Sequence, residues 1–85
     1  MIRICMEALA EIMNDNVNKD VEVYIDECWE DKGAGMKWNT IIVKGPRGSY
    51  QALSPRQHRQ VESGTFQFDE IEQLVITANE SVSAL

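Results

Sequence analysis

Cysteine, histidine and long apolar runs are all scarce in this chain. The two cysteines, Cys5 and Cys28, are too few for the disulfide framework of a small secreted domain. They lie far apart with no C-x-x-C pair, and His58 is the only histidine. Neither a metal centre nor a Cys–His nucleophile is expected from that spacing. No apolar run approaches the ~20 residues that a membrane span needs. Glu7 and Glu11 interrupt the apolar N-terminus, so no signal-peptide core is read there and a reduced, cytoplasmic setting is expected. Gly33-Ala34-Gly35 precedes β-prone residues rather than a helix, so it builds no phosphate cradle. No catalytic residue, metal or cofactor is expected, and the carboxylates read as solvated groups rather than an acid–base pair.

What remains is 85 residues with 44% apolar and 26% charged content, the composition of one folded domain spanning 1–85. A core this small leaves little room for an enclosed cavity, so contact through a face is the natural mode of action. The net charge of −6 argues against coating a polyanion or a membrane by bulk attraction.

Periodicity organises the chain. Ile2, Cys5, Met6, Leu9, Ile12 and Met13 recur at helical spacing over residues 2–15, and Asn14-Asp15-Asn16 supplies a stop. Val21, Val23 and Ile25 alternate with Glu22, Tyr24 and Asp26, which predicts a strand over 21–29. Asp31-Lys32-Gly33-Ala34-Gly35 predicts a turn, and 36–44 a second strand. Gly45-Pro46-Arg47-Gly48 predicts a tight turn into a third strand over 49–53. Ser54, Pro55 and Gln57 carry the capping-box signature of a short helix that stops at Gly64. Thr65-Phe66-Gln67-Phe68 reads as a fourth, short strand. Asp69 is the expected N-cap of a last helix bearing Ile71, Leu74, Val75, Ala78, Val82 and Leu85 on one stripe.

The two hairpin registers can be checked against each other. Centring the first on Gly33 sets Ile25 opposite Ile41, Val23 opposite Val43 and Glu22 opposite Lys44. Centring the second on Pro46-Arg47 sets Val43 opposite Tyr50 and Ile41 opposite Ala52. Both place Val23, Ile25, Ile41, Val43, Tyr50 and Ala52 on one face, an agreement that a one-residue slip destroys. The expected fold is α+β: an antiparallel sheet of three to four strands with two long helices packed on one face.

Charge is segregated along the chain. Residues 1–31 hold nine acids and two bases, 32–61 six bases and no acid, and 62–85 five acids and no base. In one reading the blocks neutralise each other within the fold, as with Glu22 and Lys44. In another, Asp26-Glu27-Cys28-Trp29-Glu30-Asp31 docks on a basic partner or mimics the phosphates of a nucleic acid in an enzyme channel. In a third, Arg47, Arg56, His58 and Arg59 hold phosphates. The register adds a second sheet face with Tyr24, Cys28, Trp38 and Ile42, where exposed aromatics ringed by charge would form a binding surface. The alternatives there are cover by another segment, or self-association through this face or a sheet edge into a homodimer.

The function expected on these grounds is non-catalytic binding of a protein partner with a basic surface, using Tyr24, Asp26, Glu27, Trp29, Glu30, Asp31, Trp38 and Ile42. Nucleic-acid or phosphate binding by the basic block is the alternative. The element order resembles that of double-stranded-RNA-binding domains. Their final helix opens with basic residues, whereas Asp69-Glu70-Ile71-Glu72 stands here and would repel phosphate. In size and charge the chain resembles small acidic α+β inhibitors encoded by bacteriophages, with no diagnostic motif shared.

Overall fold

A computed structural model describes the backbone of residues 3–30 and 36–85 and the side chains of residues 3–26 and 39–85. The chain forms α1 (Met6–Asn16), β1 (Glu22–Glu30), β2 (Met36–Gly45), β3 (Gly48–Gln51), α2 (Pro55–Ser63) and α3 (Glu70–Val82). It is an α+β fold with one antiparallel sheet in the order β1-β2-β3. The turn expected at 31–35 lies outside the described residues.

The hairpin registers follow from hydrophobic alternation. Val23 pairs with Val43, Ile25 with Ile41 and Glu22 with Lys44. Val43 pairs in turn with Tyr50, and the Ala52 N–H donates to the Ile41 carbonyl at 2.9 Å. Val23, Ile41 and Val43 thus share a face, and they join Leu9, Ala10 and Met13 of α1 and Leu74, Ala78 and Val82 of α3 in one core. Ile41 and Val43 are 0% exposed. Burying side chains of that kind contributes about 1.5–3 kcal/mol each. Tyr50, beside α3, is half-buried, and burial raises its phenol pKa above the usual 10.0 although a Ser81 hydrogen bond acts the other way.

Several expectations need correction. Helix α1 starts at Met6, not Ile2, and Cys5 is its exposed N-cap rather than a buried stripe residue; its Sγ accepts from the Ala8 N–H at 3.4 Å. The stripe is rotated accordingly: Ala10 is buried and Ile12 is exposed. The helices span 11, 9 and 13 residues, near the mean for globular proteins rather than long. Residues 65–68 form no strand. The Thr65 and Phe66 N–H groups both donate back to the Gln60 carbonyl, at 2.9 and 3.1 Å. The Gln67 and Phe68 carbonyls accept from Glu70 and Ile71 at the entry to α3. Those four groups are spent on helix ends rather than on a ladder. Phe66 is buried and Phe68 half exposed, not paired on one side. Asp69 makes no side-chain cap bond, and Leu85 projects past the end of α3 at 81% exposure.

The capping box of α2 forms as the spacing requires. Ser54 Oγ accepts from the Gln57 N–H at 3.2 Å and Gln57 Oε1 from the Ser54 N–H at 3.0 Å. Gly64 ends the helix at φ +79, a conformation that favours glycine.

Two helix C-termini are capped by arginines from distant segments. Neither α2 nor α3 has a basic residue in its last turn. Arg3 Nη2 donates to the Glu62 carbonyl of α2 at 2.8 Å, 59 residues away in sequence. Arg47 donates its N–H to the Val82 carbonyl at 3.1 Å and its Nη1 to the Glu80 carbonyl at 3.3 Å. Each cation sits where unsatisfied carbonyls concentrate negative potential. A polar clasp ties the α1–β1 connection to the end of α3. Asp20 accepts from Ser83 Oγ and the Ala84 N–H, both at 2.7 Å. The Asn18 N–H donates to Asn79 Oδ1 at 2.8 Å.

Candidate interaction surface

The face of the sheet opposite the core is built by alternate residues. On β1 these are Glu22, Tyr24, Asp26, Cys28 and Glu30, and on β2 Met36, Trp38, Thr40, Ile42 and Lys44. Three acids therefore recur every fourth residue along one face of β1, about 13 Å apart at ordinary strand rise. Glu22 faces Lys44, but Asp26 faces Thr40 and Glu30 faces Met36. Of these three positions, the register sets a base opposite Glu22 alone. Tyr24 stays 37% exposed between Glu22 and Asp26, both exposed. The face is not bare throughout: Ile42 is half-buried and Thr40 keeps only 6% of its exposure.

The remaining candidates divide. The register sets Glu27 opposite Asn39 and Trp29 opposite Lys37, at positions of the Val23 face rather than the Tyr24 face. The side chains of Glu27, Trp29, Glu30 and Trp38, and Asp31 altogether, lie outside the described residues. Residues 26–30 are therefore split between the two faces of a strand, and only Tyr24, Asp26 and Ile42 are seen together.

The basic candidates do not form one site. Arg47 is committed to the end of α3, as described. His58 on α2 uses both ring nitrogens: Nε2 meets the Asn39 carbonyl at 3.0 Å and Nδ1 meets Glu62 Oε1 at 3.1 Å. Arg56 and Arg59 are exposed on α2. Among the described residues, no hydrogen bond joins Arg47 to any of these.

A shallow cleft of about 320 Å³ lies where the chain start meets α2, lined by Arg3, Ile4, Cys5, Glu7, Asn39 and Glu62 among others. Sequence reading missed it because its walls come from residues far apart in the chain. Among the described residues, no three His, Cys, Asp or Glu side chains converge on a point that would hold a metal ion. Among the described residues, no helix is long and apolar enough to cross a membrane.

No protein-family model matches the chain, and neither the curated proteins nor the solved structures yield a significant match.

Proposed function

We propose that this chain is a non-catalytic interaction protein that binds a basic macromolecular partner through the acidic first hairpin and the Tyr24 face of its sheet. The observation that carries this reading is Tyr24, 37% exposed on a face where Asp26 has no base opposite it. An amphipathic ring beside uncompensated carboxylates suits an interface whose core excludes water and whose charges select the partner. A nucleic-acid-handling enzyme is the partner class that fits best, since its binding channel is basic. Occupying that channel would inhibit it.

The phosphate-binding alternative has less support. It needs Arg47 and His58 to face a ligand with Arg56 and Arg59, and the first two are engaged within the fold.

Affinity purification with the tagged wild type and with a Tyr24→Ala, Asp26→Lys, Glu30→Lys variant tests the reading. A partner should be retained by the wild type and lost by the variant, with circular dichroism showing the variant folded. Identical sets of captured proteins would refute the proposal.

A further inference from the structure

The two edges of the sheet are finished differently. On the β3 side the strand is only four residues long. Where it ends, the Ala52 N–H takes the Ile41 carbonyl and His58 Nε2 takes the Asn39 carbonyl, two residues further along the same edge. The tip of that hairpin is tied to α3 through Arg47. On the other side β1 is the terminal strand, nine residues long, or about 30 Å.

Which β1 groups face outward follows from two observations. The Val23 N–H donates away from the sheet, to Asn14 Oδ1 of α1 at 2.9 Å. Ile41, the partner of Ile25, sends its carbonyl toward β3 rather than β1. Antiparallel alternation then makes Val23, Ile25, Glu27 and Trp29 the residues whose N–H and C=O groups point outward. Asn14 satisfies the first of these donors. Among the described residues, no strand lies beyond β1 to take the others.

Natural sheets protect such an edge with charged side chains, lysine above all, with proline, with a bulge or with a covering element. Residues 22–30, EVYIDECWE, contain no proline and no lysine. They carry four acids and no base. Pairing with a second copy would lay acid against acid: centred on Asp26, Glu22 would face Glu30 and Asp26 would face itself. Like charges opposite one another disfavour that pairing. The charge selects an occupant of opposite sign.

We propose that the outer edge of β1 accepts an extended, lysine- or arginine-bearing segment of a partner protein as a fourth antiparallel strand. The added backbone would pair with Ile25, Glu27 and Trp29. Its cations, spaced four residues apart, would stand beside Glu22, Asp26 and Glu30, with an apolar residue next to Tyr24. Strand addition draws affinity from main-chain bonds and specificity from alternate side chains, so the acid spacing sets the register. This deepens the interaction reading above and rests on it.

The test uses the full chain, ¹⁵N-labelled, titrated with a twelve-residue lysine–valine–threonine peptide that bears lysine at every fourth position. A second peptide has glutamate in place of each lysine. The lysine peptide should shift the Ile25 and Glu27 amides and slow their hydrogen exchange, and the glutamate peptide should not. Asp26→Lys should weaken binding about tenfold or more, as expected for a charge reversed within an interface. Ile25→Pro, which removes an outward N–H and no ladder bond, should abolish the exchange protection, with retained Tyr24 and Asp26 amide protection showing the sheet intact. Binding that shifts the Tyr24 ring but leaves the outward amides exchanging freely would overturn strand addition and leave the interaction reading standing. No response to the lysine peptide or to polylysine would overturn both. Equal binding of the glutamate peptide, or a dimer in sedimentation that Ile25→Pro dissolves, would overturn the proposed occupant.

Discussion

The β3 edge and the β1 edge belong to the same sheet, yet one is a four-residue strand tied at its tip to α3 and the other is long and acidic. On the β3 side the strand is short, its hairpin tip is held to α3 by Arg47, and the β2 carbonyls beyond it are taken by the Ala52 N–H and His58. Among the described residues, the outer edge of β1 has one cap, Asn14 on Val23, and then a run of outward groups beside carboxylates. That difference is what supports β1 as the proposed side of contact.

The comparison can be broken first at the β3 side. A Cβ on Gly45 would stand 2.5 Å from the Val82 carbonyl oxygen and 2.9 Å from Val82 Cγ2. Gly45→Ala should therefore force the second hairpin off α3 and cost about 1–3 kcal/mol in denaturant unfolding, as overpacking does. His58→Ala should cost about 1 kcal/mol by leaving the Asn39 carbonyl without its partner. Its sharper signature would be faster hydrogen exchange at the α2 amides.

A third prediction sets the clasp at the end of α3 against both edges. Hydrogen bonds from the Ala84 N–H, first, and from Ser83 hold the Asp20 carboxyl below its usual pKa of 3.8. A group whose pKa is lowered on folding adds stability above its unfolded value and loses it as pH falls through the folded one. Asp20→Asn should therefore lower the melting temperature most near neutral pH. The gap to wild type should narrow below about pH 4. A gap independent of pH would show that the carboxylate charge plays no part. The smallest effect belongs to the open face. Tyr24→Ser should change stability by less than about 1 kcal/mol, because the ring is exposed and stands outside the core cluster. A larger loss would mean that the ring is part of the core.

Elements specified by neighbouring residues were legible in the sequence. Val23, Ile25, Ile41 and Val43 announce the first register through alternation, and Ser54 with Gln57 announces the start of α2 within four residues. Features made by distant pairs were not legible. Nothing near Glu62 or Glu80 indicates that Arg3 and Arg47 arrive to cap their helices. Those two contacts commit two of the eight bases to helix ends, and only Arg47 of the pair belongs to the basic block 32–61. The expected strand at 65–68 failed because β-prone Phe66 and Phe68 say nothing of where Gln60, Gln67 and Phe68 carbonyls find their donors. The acidic stretch 26–31 looked like one patch in sequence, whereas strand alternation divides its residues 26–30 between two faces.

The central claim is that the outer groups of β1 are unsatisfied beyond Val23, and amide hydrogen exchange of the free protein tests it directly. Tyr24 and Asp26, whose amides face β2, should be protected, and Val23 should be protected through Asn14, while Ile25 between them exchanges freely. An Ile25 amide as slow as its two neighbours would mean that the edge is already covered, and would contradict the account.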